Sequence, residues 1–122
     1  MNEGVKVERL KTVSTQLKIQ LMEYSAPCLT ISGAGWNFST LNPWRVLKNG
    51  QICFTSDVEN AADEIGGLAS LDIRSIEVLK IDGVNDLIIR FSDGAAMHVT
   101  SMGEGEEWVL NLSDNFTWVE VR

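Results

Sequence analysis

The segment from Asp86 to Thr100, DLIIRFSDGAAMHVT, constrains the fold more than any other part of the chain. Apolar residues recur at every second position between Leu87 and Phe91, which is the period of a pleated strand with one buried face. The Asp93-Gly94 pair follows at once. Glycine takes a positive φ without a Cβ penalty, and aspartate can bond to the turn backbone. The segment therefore predicts a β-hairpin.

The length and the composition fit one ordinary globular domain. The chain has 122 residues, of which 44% are hydrophobic and 22% are charged, so it can bury a core and is not expected to be disordered. We expect a single domain over residues 1–122, with residues 1–16 as an irregular N-terminal segment. No apolar run approaches the roughly 20 residues of a membrane-spanning helix, and the N-terminus lacks the apolar core of a secretory signal. These features predict a cytoplasmic protein without a membrane partner.

Further strands are predicted on both sides of the central hairpin. Asn49-Gly50 is a strong signal for a type I′ hairpin turn, and it joins residues 44–47 to residues 51–55. In the second of these strands, either Cys53 or Phe54 must face the core. Alternating apolar residues also predict strands at residues 73–81, 108–112 and 116–121.

The segment 5–24 fits two patterns. Apolar residues between Leu10 and Tyr24 recur at helical spacings of three and four, yet residues 17–22 alternate as in a strand. We favour strands at residues 17–22 and 28–32. Residues 33–41, GAGWNFSTL, have the glycines of a loop or an irregular strand.

The best helix candidate runs from Ser56 to Leu68. Ser56 or Asp57 can cap its N-terminus, and Gly66-Gly67 can end it in the left-handed conformation. A helix this short does not form alone, so it would dock on the sheet through the apolar residues Val58, Ala62 and Ile65. Its carboxylates would face solvent: Glu59, Asp63 and Glu64.

A weak internal repeat relates the two halves of the chain. LKIQLM, CLTIS and PWRVL follow one another in the first half, and LIIRFS, AAMHVTS and EWVLNL in the second. Neither half could bury its apolar face alone, which favours a duplicated meander whose sheets share one core. The predicted fold is α+β: a mainly antiparallel, twisted β-sheet assembly of about eight strands, with one short helix near residues 57–66.

The net charge of −7 is unevenly distributed along the chain. Residues 1–56 carry six basic and three acidic side chains, whereas residues 57–122 carry four basic and fourteen acidic ones. The second half therefore has a net charge of −10, and a field of that sign repels phosphates. Nucleic acid and anionic membranes are poor candidate partners, and a basic protein is a good one. Solubility alone is the other explanation of this acidity.

No residue pattern predicts catalysis, a metal or a cofactor. His98 is the one histidine, and no Ser or Cys has a spacing to it that predicts contact. A hydrolase or a ligand-binding barrel would need His98 to line a pocket with a carboxylate nearby. Cys28 and Cys53 are expected to be buried, reduced and inert, and together with one histidine they make a poor metal-ligand set. We therefore expect a protein that is not an enzyme.

Four stretches together resemble a family of small bacterial proteins: PWRV at 43–46, GQI at 50–52, DLIIRFSDG at 86–94 and EWVL at 107–110. The recurring sequence pattern of that family is a WR(I/V), a g-x-I strand, a DL-x-L-x-F-x-x-G hairpin and a late e-x-W. The match covers residues 17–112. Members of this kind are often immunity proteins of polymorphic toxin systems, including contact-dependent growth inhibition. The resemblance implies a fold and a class of role, and it assigns no binding residue.

These expectations combine into one functional hypothesis. The chain would bind and neutralise a cognate basic toxin domain, with a nuclease as the expected toxin, by covering its active site. The alternative is a non-catalytic scaffold or accessory domain that binds another protein. The expected contact surface consists of a helix face and an acidic loop: Asp57, Glu59, Asp63, Glu64, Glu104, Glu106 and Glu107.

Overall fold

The computed structural model describes residues 7–13, 17–81, 84–100, 106–112 and 116–121. In these ranges the chain forms twelve strands and one α-helix, α1, which spans Ala61–Glu64 and continues as a 3₁₀ helix over Ile65–Leu68. This arrangement confirms the α+β prediction of mainly antiparallel strands with one short helix. The strands are Val7–Val13 (β1), Leu17–Lys18 (β2), Leu21–Ser25 (β3), Cys28–Gly33 (β4), Trp36–Thr40 (β5), Trp44–Lys48 (β6), Gln51–Thr55 (β7), Asp72–Ile81 (β8), Val84–Phe91 (β9), Ala96–Val99 (β10), Glu106–Leu112 (β11) and Phe116–Val121 (β12).

The described strands form two antiparallel sheets. The seven-stranded sheet has the order β1-β8-β9-β10-β6-β7, and β2 also pairs with β8. The five-stranded sheet has the order β12-β11-β5-β4-β3. The number of strands exceeds the eight or so predicted, because β1 and β5 were expected to be irregular and because one predicted strand is divided into β2 and β3.

The connectivity of the first half is repeated in the second half. The meander β3-β4-β5 lies in the five-stranded sheet and is followed by the hairpin β6-β7 in the seven-stranded sheet. The meander β8-β9-β10 then lies in the seven-stranded sheet and is followed by the hairpin β11-β12 in the five-stranded sheet. Each hairpin therefore completes the sheet that the meander of the other half begins, through the pairs β5-β11 and β6-β10. Neither half could bury its apolar face without the other.

Both sheets contribute to a single hydrophobic core. The buried side chains alternate with exposed or half-buried ones along the strands, which is what a period of two requires. This alternation confirms the strand predicted from Leu87 to Phe91. The largest fully buried side chains come from both sheets and from the 3₁₀ helix: Leu29, Ile31, Phe38 and Trp108 from one sheet, Trp44, Ile73, Ile76, Leu87, Ile89, Phe91 and Met97 from the other, and Ile65 from the helix.

Both predicted hairpin turns are present. Asn49 and Gly50 have φ values of 55° and 78°, the positive pair that a type I′ turn requires, and Gly94 has a φ of 90°. After the first turn, Phe54 packs against the core and Cys53 is exposed. The expectation that both cysteines are buried is therefore wrong, because Cys53 is exposed and Cys28 is only half-buried, although both thiols are free.

The first 22 residues depart from the sequence prediction in two places. Residues 1–16 were expected to be irregular, but Val7–Val13 pairs antiparallel with β8 and forms an edge of the seven-stranded sheet. The strand predicted at residues 17–22 is interrupted at Ile19-Gln20, because the chain passes there from the seven-stranded to the five-stranded sheet. The Gln20 N–H donates to the Ser32 carbonyl oxygen at 2.8 Å and fixes this crossing.

Within residues 33–41, Trp36–Thr40 forms a regular strand, β5, where a loop or an irregular strand was expected. Trp36, Phe38 and Thr40 are buried and alternate with more exposed residues along β5. The strand pairs with β4 on one side and β11 on the other. The glycines that indicated a loop are confined to its N-terminal side, where Gly35 has a φ of 78°.

The predicted helix is shorter than expected. α1 begins after Asn60 without a side-chain cap, so neither Ser56 nor Asp57 caps it. Gly66-Gly67 lies inside the 3₁₀ helix and neither glycine has a positive φ, because the chain continues in right-handed turns to Ala69. Docking uses the buried Ala61, Ile65 and Leu68, whereas Val58 and Ala62 are exposed. Among the described residues, no helix is long and apolar enough to cross a membrane.

Candidate functional site

Four of the predicted site residues lie together on the connector between β7 and α1 and on α1 itself. Asp57, Glu59, Asp63 and Glu64 are all exposed, as predicted for the last three. We call residues 57–64 the acidic connector, because they carry four acidic and no basic side chains. The connector lies against β3 and β7, where one sheet meets the other.

The charges of the acidic connector are not neutralised by the rest of the described chain. Asp57 accepts a hydrogen bond from the Thr55 hydroxyl group, and this bond lowers the pKa of the Asp57 carboxyl below its ordinary value. Glu64 accepts a hydrogen bond from the Asn60 side chain at 3.2 Å. In the described ranges, none of the four carboxylates forms an ion pair with a basic side chain. The connector therefore presents four negative charges to solvent.

An open hollow of about 440 Å³ adjoins the connector. Its walls are mostly apolar, and the side chains of Asp57 and Glu59 also line it. The Tyr24 hydroxyl group donates to the Ser56 carbonyl oxygen at 3.1 Å, which fixes one wall. Tyr24 also packs edge-to-face on Trp44, with 5.1 Å between ring centroids. An apolar centre with charged groups at its border is the usual composition of a protein-binding surface.

The other three predicted residues are only partly described. Glu104 lies outside the described residues. Glu106 and Glu107 were expected in a loop, but they begin β11, where Glu106 pairs with Val121 next to a register shift. This end of β11 is three strands from β3 within the five-stranded sheet, which corresponds to about 14 Å. Trp108, Thr40, Leu29 and Tyr24 follow one another across these strands, so the β11 backbone begins at the same end of the sheet as the hollow.

His98 is held between an acid and a base on the outer face of the seven-stranded sheet. Its Nε2 lies 2.8 Å from Asp86 Oδ2, and its Nδ1 lies 3.1 Å from an Arg45 terminal nitrogen. A guanidinium group can only donate hydrogen bonds, so Nδ1 must accept and Nε2 must carry the proton that is donated to Asp86. These contacts correspond to the Nε2–H tautomer of the imidazole.

The condition set for a hydrolase or a ligand-binding barrel is partly met. His98 lines a cavity of about 260 Å³ and has the Asp86 carboxylate as a neighbour. In a nucleophile–base pair, however, the second ring nitrogen must be free to take a proton, and here Arg45 occupies it. His98 in this arrangement orients Arg45 and is not a general base. No group of three or more potential metal ligands occurs among the described residues.

A second ion pair lies beside His98 and was also missed by the sequence analysis. Arg90 Nε donates to Glu77 Oε2 at 2.9 Å, and Glu77 and Asp86 are only 7% and 6% exposed. Both acids alternate with core residues along their strands. The sequence does show charged residues at the outward positions of three predicted strands. Which of them pair depends on the cross-strand register, and the partners are up to 53 residues apart in the chain.

Comparison with profiles of known protein families, with curated proteins and with solved structures found no match.

Proposed function

We propose that this protein is an immunity-type inhibitor that binds a basic toxin domain through the acidic connector and the hollow beside it. One observation carries the proposal: four exposed carboxylates without a basic partner in the described chain lie next to an apolar hollow. The resemblance of the PWRV and DLIIRFSDG stretches to immunity proteins points to the same role. Such a protein would act in the cytoplasm.

The physical reason is electrostatic complementarity. Uncompensated charges of one sign repel one another on the free protein, so a partner with a cationic surface gains affinity by neutralising them. Nucleases have such a surface where they hold phosphates, and covering it blocks the substrate. Charge speeds association and selects the partner, whereas most of the binding free energy comes from a few buried side chains. The hollow lined by Tyr24 and Val58 provides a place for one of them.

Co-expression is the first test of this proposal. The C-terminal domain of the protein encoded immediately upstream would be expressed with and without this chain, and surviving cells would be counted. Rescue together with a copurifying complex supports immunity. If that domain is harmless, or kills in both cases, the proposal fails for this pair. The scaffold or accessory-domain hypothesis then becomes the better one.

The role of the connector requires a charge-matched comparison. Asp63→Lys and Glu23→Lys each raise the net charge by two units, but only Asp63 lies on the connector, whereas Glu23 is an exposed residue of β3. At low salt we expect Asp63→Lys to slow association with the toxin by about tenfold and Glu23→Lys by much less. The same comparison applies to Glu106→Lys and Glu107→Lys. Equal association rates for Asp63→Lys and Glu23→Lys would mean that only the overall charge matters, and the connector would not be the site.

A further inference from the structure

A cavity on the outer face of the seven-stranded sheet remains unexplained by the proposed function. It has a volume of about 260 Å³, and Leu47, Ile88 and Ala96 of three neighbouring strands form an apolar floor. Asn49, Arg90 and His98 provide its polar side chains. We call it the outer-face cavity. It lies on β6, β9 and β10, and it shares no lining residue with the hollow beside the acidic connector.

Two polar side chains of the outer-face cavity, Arg90 and His98, are held in fixed positions. His98 is fixed by Asp86 and Arg45, and Arg90 is fixed by Glu77. Both acids are more than nine-tenths buried, and removing a carboxylate from water costs free energy that an ion pair often fails to offset. An arrangement of this kind adds little stability, but it orients the groups that face a ligand.

Arg90 retains hydrogen-bonding capacity towards the cavity. It uses only Nε on Glu77, and its terminal amino groups have no partner among the described residues. The side chain is 49% exposed, so a ligand can reach these groups. Two parallel N–H groups of a guanidinium match the two oxygens of a carboxylate.

A second arginine adds positive charge near the outer-face cavity. Arg74 lines an adjoining cavity of about 500 Å³ that shares Arg90 and Gly94 with the first. Arg74 is exposed and forms no ion pair within the described part of the chain.

We propose that the outer-face cavity binds a small carboxylic acid with an apolar body. Arg90 holds the carboxylate with support from Arg74, and the body lies on Leu47, Ile88 and Ala96. The volume is slightly below the range of about 300–1,000 Å³ for sites of drug-sized ligands, so the ligand is of the size of benzoate. Because both ring nitrogens of His98 are already bonded, the imidazole contributes a wall and not a hydrogen bond. The proposal does not depend on the immunity function.

The test is an NMR titration of the full chain with benzoate at low salt, with benzamide and acetate as controls. Benzamide has the apolar body without the charge, and acetate has the charge without the body. We expect saturable shifts of the Ile88 and Ala96 methyl groups with a Kd on the order of 1 mM for benzoate, and no saturation with either control. Equal shifts with benzamide, or shifts that map elsewhere, would overturn the proposal.

Two variants test the contribution of the arginines. Replacing the ion pair by Glu77→Gln with Arg90→Gln removes the anchor without leaving a buried charge, and should weaken benzoate binding about tenfold. Arg74→Gln changes an exposed side chain and should weaken it about threefold. An unchanged Kd in the folded double variant contradicts the proposal. If the double variant does not fold, Arg74→Gln decides in the same way.

Discussion

Gly33 provides the sharpest test of the fold, because its lack of a side chain allows the two sheets to meet. The Trp36 indole N–H donates to the Lys18 carbonyl oxygen at 3.2 Å, and Gly33 lies directly against both groups. A Cβ atom at this position would come closer than 3.0 Å to each of them. Gly33→Ala must therefore displace the backbone of β2 or the indole ring. Backbone strain plays no part, since the φ of Gly33 is not positive.

The expected effect is a loss of about 3 kcal/mol in the free energy of unfolding. The broken indole hydrogen bond accounts for about 1 kcal/mol. Forcing a methyl group into an occupied part of a packed structure costs about 1–3 kcal/mol more. Domains of this size have a total stability of about 5–15 kcal/mol, so the variant should still fold. With a urea dependence of about 2 kcal/mol/M, the unfolding midpoint should fall by about 1.5 M.

Urea unfolding followed by tryptophan fluorescence measures this effect. Gly66→Ala is the matched control, because it adds the same methyl group where no atom lies within 4 Å and where φ is not positive. We expect the control to be neutral, or to gain up to about 1 kcal/mol from the lower entropy of its unfolded chain. If Gly33→Ala unfolds within about 0.3 M of the wild type, the close contact of Gly33 with the Lys18 carbonyl is wrong.

Three further predictions concern the ionisable groups. Asp86→Ala removes a buried hydrogen-bond acceptor and should lower the free energy of unfolding by about 2 kcal/mol in urea titrations. Nitrogen-15 NMR of the wild type at neutral pH should show His98 as the Nε2–H tautomer; a proton on Nδ1 would contradict the arginine contact. The Ala95 backbone N–H lowers the pKa of the Asp93 carboxyl below its ordinary value. Asp93 therefore stabilises the fold above about pH 4, and this contribution disappears as the pH falls through the lowered pKa. Asp93→Asn should be less stable than the wild type at pH 6 and equal to it below both pKa values.

The sequence predicted those parts of the fold that depend on neighbouring residues. Both hairpin turns follow from pairs of adjacent residues, Asn49-Gly50 and Asp93-Gly94, and the strand after Asp86 follows from its period of two. The crossing at Ile19-Gln20 could not be predicted in this way, because the alternation continues unbroken while the chain changes sheets. The sequence indicated the internal repeat, but the two halves were aligned one strand apart from their true correspondence. Because residues 33–41 were expected to be a loop or an irregular strand, β4 was matched to β10, whereas the structure makes it equivalent to β9.

The candidate site likewise has features that the sequence predicts and features that depend on residues far apart in the chain. Exposure of Glu59, Asp63 and Glu64 could be predicted, because charged residues on a short amphipathic segment face water. The hollow beside them could not, since Tyr24 reaches it from another strand and is fixed by Ser56, 32 residues away. The His98 network likewise depends on the pairing of β10 with β6, which no local pattern specifies.

The repeated connectivity indicates which residues the fold itself requires. Trp44 opposite Val99 and Trp108 opposite Thr40 occupy equivalent positions, and both indole rings are buried. The same alignment makes core residues equivalent to core residues, as with Leu29 and Leu87 or Ile31 and Ile89. On the outer faces the equivalence ends.

The outward positions of the two halves differ in chemistry. His98 corresponds to Ser39, Arg90 to Ser32 and Arg45 to Val109. The described part of the five-stranded sheet therefore builds the same strand pattern without a buried acid–histidine–arginine network, which in the seven-stranded sheet joins Arg45 of the first half to Asp86 and His98 of the second. A network that the fold does not need, and whose buried acids are costly to keep from water, is better explained by what it orients than by the stability it adds. This asymmetry is the structural reason to look for a ligand on the outer face of the seven-stranded sheet.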